Sequence, residues 1–287
     1  MVIKDAGGWR PIHENHAIAV MAAVVTFAQT VPDLTLRKIL RSSEDTAFAA
    51  GLKSRHSTKA LQFSIDAKGV SQSEAASGIQ GQLFNSLVET TDGVPISTQV
   101  AEQLQVDQAH VIYRTWQYVS WRWQSDRIRK LMTPALEIAK GTVAFASIRF
   151  EYLDRFWFDG DATKADPKQL LRMDSPVIAP HVFAAPDLWH SHTGAFLASG
   201  GQFKRLQQVM IDALDEPSLP QDAVAPVRWV NITTALEDRF MQPPAENEDI
   251  DVDDLFQRLD TMHASLKDTL AIIITNEMAE RIFLRGT

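Results

Sequence analysis

The sequence predicts an α+β protein with an extensive antiparallel sheet, in which two strand–helix–strand units precede a C-terminal helix that packs on the sheet. Three observations carry this prediction. Some runs alternate apolar and polar residues, which is typical of half-buried strands, and VAFASIRFEYLDRFWF is one example. Two segments with apolar residues at helical spacing, 33–50 and 122–140, each follow a strand-like run. Another helical stripe begins near Asp253.

The composition is that of a globular protein with a hydrophobic core. The chain has 287 residues, of which 45% are hydrophobic and 22% charged, enough for one large domain or two small ones. A net charge of -8 argues against sequence-independent binding of nucleic-acid phosphates unless the positive charge is clustered. The absence of cysteine excludes disulfides, thiolate catalysis and cysteine-ligated zinc or iron–sulfur centres.

No apolar run approaches the roughly 20 residues that a membrane-spanning helix needs. The run AIAVMAAVVTFA at 17–28 has the length of a signal-peptide core, but the segment before it carries Asp5, Glu14 and Pro11. We therefore interpret this run as a buried strand, and we expect a cytoplasmic protein that does not bind membranes.

The first unit is predicted as strand, helix, strand and strand. A nearly all-apolar strand at 16–29 leads into a helix that Asp33 caps and Gly51 ends. A strand at 60–67 alternates cleanly, and a polar turn separates it from a further strand near 79–89. The apolar stripe of the helix is Leu36, Ile39, Leu40, Ala47 and Phe48.

The second unit opens in the same order. Its first strand is HVIYRTWQYVSW, which is rich in β-branched and aromatic residues. The helix that follows ends at Gly141, and Pro134 either kinks it or follows Thr133 at the start of a new helix. The second strand then alternates between two faces. One face holds Ile148, Phe150 and Tyr152, and the other holds Ser147, Arg149 and Glu151.

We divide the chain into a first unit of residues 1–108 and a second unit of residues 109–287, and we expect them to form one compact body. Because the order of elements repeats, segments 16–67 and 109–158 are predicted to superpose.

The rest of the second unit adds strands and helices beyond a surface connection at 159–187. Three strands are predicted at 189–197, 203–214 and 227–239. The stripe of the C-terminal helix is Leu255, Leu259, Met262, Leu266 and Leu270. Thr275 caps a short last helix that runs through Phe283.

The C-terminal run RLDTMHASLKDTLAIIITNEMAERIF resembles the ending of a sporadically distributed family of uncharacterised bacterial proteins of about this length. In that family a helix carries a histidine and then an apolar position, and it closes with Ile-Thr before a last short helix. The matching positions are His263, Leu270, Ile274 and Thr275, where Leu270 replaces the usual phenylalanine. The resemblance implies an architecture and no particular activity.

His190 and His192 in WHSHTG are the pair of residues in the sequence that most resembles a set of metal ligands. Residues two apart on a strand point to the same side, so the two imidazoles could bind one cation, with Asp187 as an oxygen ligand. We favour the alternative of two surface histidines beside a turn at Gly194, because this two-ligand spacing is common by chance.

The Asp159-Gly-Asp161 motif follows an aromatic strand, as the nucleophile loop of haloacid-dehalogenase-like phosphatases does. That fold needs repeated strand–helix units after the motif, and the sequence does not show them. We therefore interpret the motif as a turn that leaves a strand.

Aromatic and basic residues are dense between 110 and 157, and they could form a groove that binds single-stranded nucleic acid by stacking and charge. The candidate ligand-binding residues there are Arg114, Trp116 and Arg149, and His263 on the C-terminal helix is a fourth. We favour the alternative in which the tryptophans belong to the core and the arginines to a solvated helix face.

No catalytic constellation in the sequence is complete, since it has neither a Gly-rich phosphate loop nor a nucleophile elbow. We assign no catalytic residue and no cofactor, and we expect a non-catalytic binding or assembly protein that self-associates or binds a protein partner. Two other functions stay open. One is a metal-dependent hydrolase that uses His190 and His192, and the other is a nucleic-acid-binding component of a mobile bacterial defence or regulatory system.

Overall fold

The computed structural model describes residues 7–58, 61–66, 69–74, 80–89, 95–197, 203–216, 226–241 and 250–284. The strands are β1 (Gly8–Pro11), β2 (Ile18–Phe27), β3 (Ser54–Thr58), β4 (Leu61–Asp66), β5 (Gly69–Glu74), β6 (Gly81–Glu89), β7 (Pro95–Asp107), β8 (His110–Thr115), β9 (Phe145–Asp159), β10 (His190–Leu197), β11 (Phe203–Glu216) and β12 (Val227–Phe240). The α-helices are α1 (Asp33–Ala49), α2 (Trp121–Lys140), α3 (Val252–Ile273) and α4 (Asn276–Arg281). None of the helices in this part of the chain combines the length and the apolar character that crossing a bilayer requires.

Among the described residues, nine strands form one antiparallel sheet in the order β10-β11-β12-β9-β2-β8-β7-β6-β3, and β1 pairs with β9 as a tenth. Strands β4 and β5 pair separately as an antiparallel hairpin. The predicted α+β class and the extensive antiparallel sheet are confirmed, and the C-terminal helix α3 packs against sheet strands as predicted. Strands β10 and β3 are the two ends of this order.

The strand order contradicts the predicted superposition of segments 16–67 and 109–158. In the second segment, β8 and β9 lie on either side of β2. In the first segment, the chain leaves β2 through α1 and returns as β3, beyond β8, β7 and β6. The sequence pattern predicts neither β7 nor the polar strand β3, so a repeated order of elements was mistaken for a repeated topology.

Packing divides the chain into two compact units. Unit 1 holds the described residues within Met1–Met21, Phe150–Asp238 and Leu259–Thr287, and unit 2 holds those within Ala22–Arg149 and Arg239–Arg258. These units follow packing in space, whereas the predicted boundary after residue 108 follows the order of elements along the chain.

Helix α1 in unit 2 packs against α2, β6 and β7. The predicted stripe residues Leu36, Ile39, Leu40 and Ala47 are buried, but Phe48 is 41% exposed. Its ring instead lies edge-on to Phe84, with 6.4 Å between the ring centroids. Phe48 therefore covers the rim of the core rather than filling its centre.

The two ends of α1 differ in how well the sequence predicts them. The N-cap is Pro32, and Asp33 is already helical, so the predicted cap is wrong. The carboxylate of Asp33 accepts a hydrogen bond of 3.1 Å from Nε2 of Gln108 instead. At the other end, Gly51 adopts a φ of 93°, which favours glycine and confirms the predicted stop.

Helix α2 begins one residue earlier than predicted, at Trp121, because the Ser120 hydroxyl caps it by accepting from the backbone N of Trp123. The helix continues through Pro134 to Lys140, so no new helix starts after Thr133. Its buried face is Gln124, Ile128, Leu131, Met132, Ala135, Leu136 and Ala139.

In unit 1 the alternation of β12 is confirmed, because Val230 and Ile232 are buried while Asn231 and Thr233 are half-buried. The predicted buried face of β9 is also confirmed, although Ser147, assigned to the opposite face, is buried as well. The stripe of α3 is at most 5% exposed at Leu255, Leu259, Met262, Leu266 and Leu270. Thr275 caps α4 by accepting from the backbone N of Met278, as predicted.

Residues from opposite ends of the described chain meet in unit 1. Strand β1 pairs with β9, so that Gly8 lies opposite Asp159. The ring of Trp9 packs against Phe158, with 5.4 Å between the ring centroids. In α4, Nη1 of Arg281 donates to the carbonyl oxygen of Trp9 over 3.1 Å. The core of unit 1 therefore includes elements separated by most of the chain.

Candidate functional site

Among the strands of the described residues, β10 stands at one end of the sheet order and pairs with β11 alone. The pairing is antiparallel and regular over all eight residues of the strand, from His190 opposite Asp212 to Leu197 opposite Arg205, without a register shift. The strand contains no Lys, Arg, Asp, Glu or Pro. It is thus a strand without a bulge and without Lys, Arg, Asp or Glu at an end of the sheet.

The hydrogen-bond pattern shows which backbone groups of β10 point away from β11. The backbone N of Ala213 donates to the carbonyl oxygen of Trp189 over 2.9 Å. Hydrogen-bonded and non-hydrogen-bonded pairs alternate along an antiparallel ladder. The N–H and C=O groups of His192 and Gly194 therefore point outward from the sheet.

The first half of β10 is covered by the segment 177–181. The imidazole Nε2 of His181 lies 3.0 Å from the carbonyl oxygen of His190. The backbone N of residue 179 donates to the hydroxyl of Ser191, and the hydroxyl of Thr193 donates to the carbonyl of residue 177. The second half, residues 194–197, lies beyond these contacts, and we call it the β10 edge.

The β10 edge is exposed and largely apolar. Gly194 and Ala195 are exposed, as are the larger side chains of Phe196 (59%) and Leu197 (39%). Natural sheet edges are usually protected by charged residues, prolines or bulges, which prevent pairing with other chains. The β10 edge has none of these protecting features.

The predicted metal residues lie at the other end of β10. His190 and His192 are exposed, with 5.4 Å between their ring centroids, as the spacing predicts. Asp187 instead pairs with Arg228 over 3.1 Å, and Nε2 of His192 lies 3.2 Å from Oδ1 of Asp212. In the described part of the chain, no group of three or more His, Cys, Asp or Glu side chains is arranged to hold a metal ion.

The Asp159-Gly-Asp161 motif has structural partners in unit 1. Asp159 accepts a hydrogen bond of 2.7 Å from Nε of Arg10. Asp161 accepts from the hydroxyl and the backbone N of Thr163 at 2.7 and 3.0 Å, and these bonds lower the pKa of Asp161. The motif therefore caps a turn, as interpreted from the sequence.

The predicted ligand residue Arg114 lies in a side-chain ladder across β8, β7 and β6. Its Nη1 donates to Oε1 of Gln103 at 3.1 Å and to Oε1 of Gln105 at 3.2 Å. Gln103 continues the ladder by donating to Oδ1 of Asn85 at 3.0 Å. The sequence analysis missed the amide residues because it did not predict β7, although its residues alternate between Gln103 or Gln105 and the buried Leu104 or Val106.

The other predicted ligand residues are distributed over both units. Trp116 follows β8 and donates from its backbone N to the carbonyl of Ala101 over 2.9 Å, and its side chain is half-buried. Arg149, also half-buried, is part of unit 2, whereas His263 is part of unit 1.

Two arginines of the predicted aromatic and basic groove are held by carboxylates of the chain. Arg127 binds Glu102 through two nitrogens, at 3.0 and 2.6 Å. Arg155 donates to Glu216 at 2.6 Å and lies over the ring of Trp229, 4.3 Å from its centroid. Intramolecular pairing of this kind reduces the positive charge that these arginines offer to a nucleic acid.

The half-buried His263 on α3 forms a polar pair with the buried Tyr152 on β9. Its Nδ1 lies 2.8 Å from the hydroxyl oxygen of Tyr152. Burial, and then the charge of Lys267, lower the pKa of His263 to about 4, while Asp260 acts in the opposite direction. The imidazole is therefore neutral at neutral pH, and it can either accept from or donate to the phenol.

Asp154 lies two residues beyond Tyr152 on the same buried face of β9. Its side chain is almost completely enclosed, and its Oδ1 has no hydrogen-bond partner among the described residues. Burial raises the pKa of Asp154 to about 7. The sequence held a signal for this residue, because the alternation of β9 places Asp154 among Phe150, Tyr152 and Phe156.

Neither family models nor curated proteins match the chain, so the resemblance of the C-terminal run to a bacterial family stays a prediction.

Proposed function

We propose that the protein is a non-catalytic binding and assembly protein that self-associates by pairing the β10 edge with the same edge of a second copy. The observation that supports this most directly is the combination of a regular ladder, exposed apolar side chains and no protecting charge on one end strand. Such edges pair readily with strands of other chains.

A second copy is the partner that this edge fits best. Two identical strands that pair antiparallel about a two-fold axis present the same groups to each other, so one sequence satisfies both sides. The small residues Gly194 and Ala195 allow close approach of the two backbones, and Leu197 supplies apolar surface. Because β10 carries no Lys, Arg, Asp or Glu, pairing brings no like charges together.

The alternatives have less support. A hydrolase that uses His190 and His192 needs at least a third protein ligand, since catalytic zinc sites have three. A nucleic-acid-binding role needs clustered positive charge, and Arg127 and Arg155 are paired with Glu102 and Glu216.

The test is sedimentation velocity of the full chain at about 1 to 200 μM with and without EDTA, a concentration range that detects micromolar self-association. We expect twice the monomer mass at high concentration, and we expect Leu197→Lys to shift the protein to the monomer by placing like charges across the axis. The control is Leu188→Lys, since Leu188 is also exposed, at 50%, but precedes the strand.

A monomer at every concentration would contradict the proposal, as would a dimer that Leu197→Lys leaves intact. If EDTA dissociates the dimer, a metal ion bound by His190 and His192 between the two copies would explain the dimer better than direct strand pairing.

A further inference from the structure

We propose that helix α1 carries a binding site for a small phosphate ester that bears an amino group. The site is a recess of about 440 Å³ on the exposed side of α1, and we call it the α1 recess. Its lining residues are Leu34, Arg37, Lys38, Arg41, Ser42 and Asp45.

The α1 recess holds three cations that have no partner in the described part of the chain. Arg37, Lys38 and Arg41 form no hydrogen bond or ion pair there, although the whole protein has a net charge of -8. Their positions, three and four residues apart, place them on one side of the helix. Three cations that line one recess and form no ion pair within the described part of the chain favour an anion.

Two carboxylates of α1 that could neutralise these cations are engaged elsewhere. Asp33, four residues before Arg37, accepts from Gln108. Glu44 is paired with Arg55 on β3. Like charges four residues apart, such as Arg37 and Arg41, disfavour the helix slightly. A bound anion would remove this repulsion.

Phosphate fits the cations, because the planar guanidinium groups of Arg37 and Arg41 can each bind two phosphate oxygens. Lys38 adds a third positive charge to the lining of the recess. A monoester carries two negative charges at neutral pH, which three cations can hold.

The far end of the α1 recess selects for an amino group. Asp45 lies one turn beyond Arg41 and contributes a carboxylate, which repels phosphate and attracts an ammonium group. Ser42 lies between the two and offers a hydroxyl group. Along the helix, the recess therefore presents positive charge first and negative charge one turn later. This order matches a ligand with a phosphate at one end and an amine at the other.

A long polyanion fits this surface less well than a small ligand does. Nucleic acids need cations that continue along the backbone, since each contact neutralises one phosphate. On α1 the basic residues span little more than one turn and are followed by the carboxylate of Asp45. We therefore do not expect a single-stranded oligonucleotide to be the ligand, and its binding is one outcome that the experiment below can detect.

The experiment is isothermal titration calorimetry of the full chain at low salt with three probes: O-phosphoethanolamine, inorganic phosphate and ethanolamine. We expect saturable binding of phosphoethanolamine, weaker binding of phosphate and no binding of ethanolamine. Arg41→Gln should weaken both phosphate probes about tenfold or more, because one charge-assisted contact is lost. Asp45→Asn should remove only the preference for phosphoethanolamine over phosphate.

The control variant is Arg122→Gln, which removes an exposed arginine from α2 and should leave binding unchanged. Circular dichroism should show the same fold for all variants, since the substituted side chains are exposed. Equal binding by wild type and Arg41→Gln would overturn the proposal, as would no saturation with either phosphate probe at about 10 mM, a concentration beyond weak specific affinities. Tighter, Arg41-dependent binding of single-stranded oligo-dT would overturn it in favour of a nucleic-acid site.

Discussion

The hydroxyl oxygen of Tyr152 lies 2.8 Å from Nδ1 of His263, and this hydrogen bond joins strand β9 to helix α3 in unit 1. The two rings also meet edge-on, with 6.0 Å between their centroids. Tyr152 is 4% exposed, so breaking the pair would leave a polar group without water to replace its partner. The pair therefore fixes how α3 lies on β9, in addition to the apolar stripe of the helix.

Tyr152→Phe removes one side of this hydrogen bond and should lower the free energy of unfolding by about 1–2 kcal/mol. A double-mutant cycle with His263→Ala isolates the pair, and we expect a coupling energy of about 0.5–1.5 kcal/mol from urea denaturation. The same cycle between Tyr152→Phe and His56→Ala, on the end strand β3, should give none. Additive effects of the Tyr152 and His263 changes would show that the contact does not contribute to stability.

Asp154 should make the protein less stable as the pH rises through neutrality. Burial raises its pKa from 3.8 to about 7, so the folded protein keeps a proton that the unfolded chain has released. The stabilising contribution of this proton is fully present below pH 3.8 and is lost as the pH rises through about 7. The pKa difference corresponds to a free energy of the order of 4 kcal/mol.

The test is Asp154→Asn, which cannot ionise. Relative to the wild type, its free energy of unfolding should rise between pH 4 and pH 8, by up to about 4 kcal/mol in urea denaturation. Asp161→Asn is the control, because the hydrogen bonds from Thr163 lower the pKa of Asp161 from its ordinary value of 3.8. Its contribution to stability is lost only as the pH falls below that value, so the difference between Asp161→Asn and wild type should stay nearly constant between pH 4 and pH 8. If the free energies of unfolding of wild type and Asp154→Asn change in parallel with pH, burial does not raise the pKa of Asp154 as described.

Leu266→Ala should destabilise the protein by about 2–5 kcal/mol, because Leu266 is 1% exposed and its truncation leaves a cavity under α3. The matched control is Leu34→Ala on α1, since Leu34 is 69% exposed and should change stability by less than about 0.5 kcal/mol. Thermal or urea unfolding of both variants provides the comparison. Equal effects would mean that the stripe of α3 does not pack as described.

Arg127→Met should cost about 3–5 kcal/mol, because it leaves the buried carboxylate of Glu102 without its cation. The double variant Arg127→Met with Glu102→Met should be more stable than the single one, since no charge then stays buried alone. Tyr113 keeps a hydrogen bond to Gln124 in both variants. A double variant less stable than Arg127→Met in denaturant unfolding would contradict this expectation, because it would show that the unpaired carboxylate of Glu102 does not destabilise the single variant.

The elements with one clear period were predictable from the sequence. The predicted strand at 227–239 is β12, and the helix predicted near Asp253 begins at Val252. Strand β7 was missed because Glu102 lies among its buried residues and interrupts the apolar pattern, while its partner Arg127 is remote in sequence. Strand β3 was missed because SRHST has no apolar residue at all.

The candidate site was predictable only where its geometry is local. His190 and His192 share a side of β10 because strand geometry places residues two apart on one face. The contact of His192 with Asp212 and the ion pair of Asp187 with Arg228 both depend on how distant strands pair. The local sequence pattern does not encode that pairing. The edge position of β10 likewise follows from the order of the whole sheet and not from its own residues.

The contact between Arg281 and the carbonyl of Trp9 links the folding of unit 1 to the synthesis of helix α4. The two residues are 272 positions apart. At synthesis rates of about 5–20 residues per second, β1 emerges from the ribosome roughly 15–55 s before α4 exists to bind it. Throughout that interval the Trp9 side chain lacks the helix that helps to bury it. Nascent unit 1 should therefore be a client of chaperones that bind apolar segments, until its last helix arrives.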